Sequence, residues 1–471
     1  TRGAGQIGQA YWSPDGRYLA YTARPPDGGV PQLWLMPMQG GQPYVLTRSP
    51  TPVHAPCWLP DGSALIYLSP DGPTEEEVLL EARGGIHKVD AAARTNQIWS
   101  VEIGSGHMHQ LTRDRSAKGK PCLAPDGSLI AFERRVDSTC NHDYRCSVWV
   151  MRADGRQRRR VSPATGCATQ PCFAPDGSRL AFLYRDKALY SYPDRLAVAP
   201  VDGGSVSFPS LALDRPVTEI VWTRPGRIHF LLQDGLQKHL WSVQPKGRQL
   251  RQLTQGDRVL SSLHANGDRL AFVSAAADSP GQIHLCGVDG NSEEPLTQIN
   301  PGLASVLGQT QSVRWRAKDG LELEGLLVLP PGRQSREGLP LIVEPHGGPA
   351  NARAFSFYPT WHLLAAHGYA VFAPNFRGSA GYGQDFSQAN NDDFGGGDFD
   401  DVMSGVDALV ERGIADEKRL GIMGYSYGGF MSSWIVGHDH RFKAAIVGAP
   451  CINLHSMYGT SDIGVSFGEN Q

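Results

Sequence analysis

The chain has 471 residues, with 44 Lys and Arg against 47 Asp and Glu and a formal net charge of −3, a balance that argues against a general binder of nucleic acid or of membrane surfaces. A hydrophobic fraction of 40 % beside 19 % charged residues excludes intrinsic disorder and supplies ample material for a core. No apolar run approaches the roughly 18 residues of a membrane span and no signal peptide is visible; a cytoplasmic protein is expected, and because the chain opens on Thr1 a segment before it is expected too.

Gly (55) and Pro (34) together make up about 19 % of the chain against an average near 12 %, a surplus of turn formers that points to many short strands. Four Pro-Asp-Gly turns come first, at Ser13-Pro14-Asp15-Gly16, Leu59-Pro60-Asp61-Gly62, Ala124-Pro125-Asp126-Gly127 and Ala174-Pro175-Asp176-Gly177; degenerate copies follow at Arg224-Pro225-Gly226 and Asn266-Gly267-Asp268. Pro fixes φ, Asp caps the turn with its side chain, and Gly takes the left-handed position. An apolar strand follows each turn, as in Leu129-Ile130-Ala131-Phe132, and a second strand is often marked by Trp34, Trp99, Trp149 or Trp241. Leu-Thr pairs close several units, at Leu46-Thr47, Leu111-Thr112, Leu253-Thr254 and Leu296-Thr297. A single sheet of this size cannot bury both faces, so the repeat predicts radial stacking as propeller blades, of which six are legible. The longest step, between Pro60 and Pro125, contains Glu75-Glu76-Glu77, read as a solvated loop insertion.

Within this region Cys140 with Cys146, and Cys167 with Cys172, are close pairs able to bridge in an oxidising compartment; in a reduced cytosol they are small core residues. None of the eight Cys forms a C-x-x-C, which removes zinc-ribbon and thioredoxin-type readings. His107 and His109 read as a surface pair, and no metal or cofactor is expected. The run Arg156, Arg158, Arg159 and Arg160 reads as a solvated loop or as a carboxylate-binding patch.

The pattern changes near residue 309, which sets domains at 1–308 and 309–471. In the second, strands at 339–344, 369–374, 419–423 and 444–447 alternate with helices at 359–367 and 399–412, with Asp398 as the N-cap of the latter. This alternation predicts a parallel sheet covered by helices. Gly424-Tyr425-Ser426-Tyr427-Gly428 is a G-x-S-x-G between a strand and a helix, the context of a nucleophile elbow, so Ser426 is the candidate nucleophile. His346-Gly347-Gly348-Pro349 follows a strand and supplies a Gly-rich turn able to aim an N–H at an oxyanion, the partner donor being the N–H of Tyr427; His346 itself reads as a turn histidine bonded to backbone. Arg377 is left open between binding substrate and orienting backbone.

These strings, with Asn375-Phe376-Arg377-Gly378-Ser379-Ala380-Gly381-Tyr382-Gly383 and Gly396-Gly397-Asp398-Phe399-Asp400-Asp401-Val402, resemble the prolyl oligopeptidase family of serine peptidases, and its acylaminoacyl-peptidase-like branch in particular. The resemblance covers essentially the whole chain. It implies an all-β propeller of seven blades over an α/β-hydrolase domain, with short peptides as substrates and homo-oligomers as the assembly. It also implies that Ser426 is the nucleophile and that Tyr427 and Gly348, less surely Gly347, supply the oxyanion N–H groups. The family's acid and histidine follow the serine, whereas the chain ends 45 residues after Ser426; both are expected beyond Gln471, leaving the hydrolase domain partial, and His438, His440, His455 and Asp462 are not assigned to their roles. The expected activity is peptide hydrolysis through an acyl-enzyme, of an exopeptidase or acylaminoacyl-peptidase type. The alternatives are a small-acyl esterase and a propeller binding protein with an inactive hydrolase domain.

Overall fold

The structure is a computed structural model and describes residues 7–26, 28–84, 94–139, 142, 144–187, 189, 191–224, 226–332 and 337–468. Among these residues six small antiparallel meanders run along the chain, at 7–45, 54–110, 122–160, 167–200, 217–252 and 258–295, the last two joined by one parallel bridge from Lys238 to Val259. They coincide with the six repeat copies. In each of the four Pro-Asp-Gly turns the Gly N–H donates back to the first residue of the turn at 2.9 Å, and the Asp side chain accepts the N–H two residues on at 2.9–3.0 Å. The glycines stand at φ of 70 to 74°, which the missing β-carbon permits. Pro225 lies outside the described residues, but Gly226 donates to the Thr223 carbonyl at 2.9 Å in the same way.

The Leu-Thr signature has a physical cause. The Thr47, Thr112, Thr254 and Thr297 hydroxyls accept the N–H groups of Leu33, Ile98, Leu240 and Ile283, each 14 residues earlier, at 2.9–3.0 Å. Ser162 and Ser210 do the same for Val148 and Leu196, again 14 residues earlier, so the latch occurs in all six meanders. It ties the chain leaving each third strand back onto that strand. Apolar faces then pack sheet on sheet. Leu33 and Leu35 of the first meet Trp58, Leu65 and Tyr67 of the second, and Ile66 and Ile98 of the second meet Ile130, Phe132 and Met151 of the third.

The structure decides three readings in this region. Residues Glu75–Ala82 form a helix rather than a loop, with no buried residue and a capping box between Thr74 and Glu77. Cys167 and Cys172 stand in one strand, Cys167–Phe173, five residues apart, which at about 3.3 Å per residue is too far for a disulfide. The hydrogen-bonded neighbour of the Cys146 thiol is Cys167, and Cys140 lies outside the described residues. The arginine run pins loops: Arg158 bonds Asp114 and the Leu111 carbonyl, and Arg159 bonds Asp202 and the Val201 carbonyl.

By compactness the chain divides into residues 1–187 with 197–207, and 188–196 with 208–471. The second unit contains a six-stranded mixed sheet made of β1 (Gln309–Arg316), β2 (Glu322–Leu329), β3 (Leu339–Val343), β4 (Ala370–Asn375), β5 (Ala415–Tyr425) and β6 (Phe442–Gly448), in the order β1-β2-β4-β3-β5-β6. β4, β3, β5 and β6 are parallel, and β1 and β2 join antiparallel at one side. The crossovers run through α1 (Pro359–Ala366), α2 (Gly397–Glu411) and α3 (Tyr427–His438). Pro359 opens α1 because its fixed φ and missing N–H suit a first helical position. α2 buries Val402, Val406 and Leu409 at helical spacing against Phe372 of β4 and Leu341 of β3. Its N-cap is Gly396, not Asp398, which is the second residue of the helix and fully buried.

Candidate active site

β5 ends at Tyr425, and α3 begins at Tyr427; Ser426 between them has φ 58° and ψ −123°. An L-residue holds this region at a cost of about 1–3 kcal/mol, so the surroundings must impose it. They do so from both sides, because the Ser426 N–H donates to the Gly448 carbonyl of β6 and the Ser426 carbonyl accepts from Phe430 of α3, each at 2.9 Å. The elbow turns the serine outward, so that Ser426 is exposed while Tyr427 is fully buried. The N–H of Tyr427 belongs to the first turn of α3, where backbone donors point away from the helix and favour negative charge.

The Gly-rich turn lies against this elbow. A β-carbon on Gly428 would collide with the Pro345 carbonyl oxygen, and one on Gly347 would stand 3.0 Å from the Tyr425 carbonyl oxygen, 3.4 Å from the Ser426 Cβ and 4.0 Å from the Tyr427 nitrogen. Bare glycines therefore let the turn and the elbow come into direct backbone contact. Gly348 follows at φ 135°. The structure thus brings Ser426, Tyr427 and the 347–348 turn together.

His346 holds the turn from below. Its Nδ1 donates to the Gly347 carbonyl at 2.9 Å, its Nε2 meets the Ser379 hydroxyl at 2.8 Å, and its ring stacks on Phe376 with centroids 4.4 Å apart. Burial pushes the imidazole down to about 3, so it is neutral in the fold at ordinary pH. The sign follows from this. Below the ordinary value of 6.5 the unfolded chain takes up a proton that the folded chain refuses, so stability is lost as pH falls from 6.5 towards 3. This one group is expected to remove up to ~1.4 kcal/mol per pH unit in that window, and urea midpoints at pH 7 and pH 5 should show the advantage of wild type over His346→Gln shrinking in acid. An advantage that stays constant would contradict the assignment.

Arg377, left open by the sequence, is engaged within the fold: its guanidinium bonds both oxygens of buried Asp401 at 2.8 and 2.9 Å and Asp319 at 2.8 Å. His438 bonds the Trp434 carbonyl at 2.8 Å, His455 is exposed, and among the described residues no imidazole or carboxylate bonds the Ser426 hydroxyl. Among the described residues no group of three or more His, Cys, Asp or Glu is arranged to hold a metal ion, and no helix is long and apolar enough to cross a membrane.

Two features beside the elbow escaped the sequence. One is a cavity of about 510 Å³ lined by Phe394, Leu454, Met457, Tyr458 and Phe467; the Phe394 ring packs edge-on to Tyr427 at 4.8 Å, which sets the cavity one side chain from the elbow. The other is the buried pair Asp398 and Tyr427, joined by a hydrogen bond from the phenol.

Residues 355–471, which include the elbow, match the Prolyl oligopeptidase family, Peptidase_S9. The chain is 29 % identical over 503 residues to the uncharacterized peptidase YuxL of Bacillus subtilis, covering 99 % of this chain and 76 % of that protein. It is 36 % identical over 149 residues to the acylamino-acid-releasing enzyme of Sus scrofa, covering 31 % of this chain and 20 % of that enzyme. The family match thus covers the C-terminal quarter of the chain, and the similarity to a peptidase extends over nearly all of it. Among solved structures, the Pyrococcus horikoshii acylaminoacyl peptidase superposes with a TM-score of 0.82 at 22 % identity, over 98 % of this chain and 73 % of that one, which shows a shared fold. The family match and the named relatives indicate a serine-type peptidase, and the strand-elbow-helix around Ser426 falls within the residues that carry the match.

Proposed function

We propose that this protein hydrolyses short peptides through an acyl-enzyme on Ser426, as a peptidase of the acylaminoacyl-peptidase type. The observation that carries the reading is the left-handed backbone of Ser426 at the crest of β5 and α3, with the Gly347 backbone packed against it. Attack of the Ser426 oxygen on the scissile carbonyl forms a tetrahedral oxyanion, which the N–H groups of Tyr427 and Gly348 receive. Collapse expels the amine of the leaving peptide, and water then releases the acyl part. The acid and the histidine base of the triad are not assigned within residues 1–471. The aromatic cavity beside Tyr427 takes an apolar side chain of the substrate. Residues 1–308 form the propeller that restricts substrate size, and 309–471 belong to the catalytic domain.

Product analysis tests the reading. N-acetylated tripeptides, free tripeptides and simple acyl esters are each incubated with the protein, and the products are identified by mass. Release of an acetylated residue from the first substrate, with slower turnover of the others, is expected. Hydrolysis of esters with every peptide untouched would replace the reading with an esterase.

A further inference from the structure

Asp398 stands outside the residues that touch substrate in the proposed reaction, yet it is the most completely engaged carboxylate near the elbow. Asp398, Tyr427 and Asn390 are all fully buried. One carboxylate oxygen accepts the N–H groups of Gly395 and Phe399 at 2.9 and 2.8 Å. The other accepts the Tyr427 hydroxyl and, at 3.5 Å, the Asn390 amide, which also reaches the Tyr427 oxygen at 3.4 Å. The carboxylate thus faces four donors and no acceptor. The Tyr427 ring is held on its flanks by Phe394 at 4.8 Å and Phe376 at 6.0 Å, and Phe376 in turn stacks on His346 of the Gly-rich turn. Tyr427 therefore has its phenol anchored to α2 while its own N–H lies beside the nucleophile.

We propose that Asp398 is a positioning residue for acyl transfer: by fixing the Tyr427 phenol it fixes where the Tyr427 N–H points, and hence the geometry of the oxyanion site. The proposal rests on the reading of Ser426 as the nucleophile. Burial raises the Asp398 carboxyl to about 6, while the hydrogen bonds from Tyr427, Asn390, Phe399 and Gly395 act in the opposite direction and favour its charged form. An amide at this position would turn its NH2 towards one of the two pairs of donors, leaving polar groups unmatched, so even an isosteric change loosens the anchor.

The experiment compares Asp398→Asn, Tyr427→Phe and the double variant in the full chain, with rates referred to active sites titrated by a fluorophosphonate. Tyr427→Phe removes a single oxygen and keeps the ring, so it provides a folded variant if the first does not fold. Each single variant is expected to lower kcat about 10-fold to 100-fold with KM within ~2-fold, because a displaced oxyanion donor acts on the transition state and not on ground-state binding. The double variant is expected to lose no more than the worse single one, since both remove the same contact. A lowered melting temperature with kcat per titrated site unchanged would assign Asp398 a purely structural role and overturn the proposal, as would losses that multiply. Failure of the fluorophosphonate to label Ser426 in the wild type would overturn the nucleophile reading itself.

Discussion

Ser426→Ala is expected to reduce peptide hydrolysis by about 10⁵-fold to 10⁶-fold and to abolish fluorophosphonate labelling, while leaving stability close to that of wild type. The size follows from the proposed chemistry, in which the serine oxygen forms the covalent bond and no neighbouring group replaces it. What remains is the oxyanion site acting on water, worth only a small part of the total. Stability should change little, because Ser426 is exposed and the bonds holding the elbow run through its backbone N–H and carbonyl, which alanine retains. Alanine at φ 58° is strained much as serine is, so any change in melting temperature should be small. A variant with a tenth of wild-type activity would place the nucleophile elsewhere.

Gly428→Ala is expected to damage both folding and rate. The added methyl meets the Pro345 carbonyl oxygen, a backbone atom that cannot rotate aside. Either α3 or the Gly-rich turn must move, at a cost of about 2–3 kcal/mol for overpacking. A shift of about 1 Å between the turn and Ser426 costs roughly 10²-fold in rate, because the oxyanion donors leave the position of the developing charge. Gly437→Ala in the same helix provides the contrast. That position is exposed, and a β-carbon there meets nothing within 4 Å. Alanine is the better helix former by about 1 kcal/mol, so this variant should be as stable as wild type or more so, with unchanged activity. Denaturant midpoints and kcat/KM for the two variants measure the difference; equal behaviour would mean that turn and elbow are not in contact.

Much of the blade repeat was legible because its chemistry is local. A Pro-Asp-Gly turn closes within four residues, and the Leu-Thr latch closes at a constant 14. Ser162 and Ser210 were missed because they follow Val161 and Pro209 and so stand outside any Leu-Thr pair, although each hydroxyl does the work of the threonine. The helix at Glu75–Ala82 had its signal in plain view, since Thr74 and Glu77 have the spacing of a capping box, but the acidic run drew the reading towards a loop.

The elbow was legible for the same local reason: Ser426 and its flanking glycines are five consecutive residues between a strand and a helix. What surrounds it was not. Asp398 sits 28 positions before Ser426 and looked like a helix cap, since Asp before an apolar periodic run is the usual N-terminal signal. Only the fold turns its side chain inward onto Tyr427. The aromatic cavity unites Phe394 with residues 60 to 74 positions later, and neither periodicity nor motif spacing reports such a meeting. The Cys146 and Cys167 contact is likewise a product of two neighbouring meanders, which spacing along the chain does not report.

The central claim is that the Ser426 oxygen carries the acyl group during turnover. The direct measurement is acid quenching during steady-state hydrolysis of an N-acetylated peptide ester, followed by peptide mapping of the protein by mass spectrometry. The account requires an added acyl mass on the peptide containing Ser426, absent from Ser426→Ala. Turnover with that peptide unmodified, or an adduct on another residue, would contradict it.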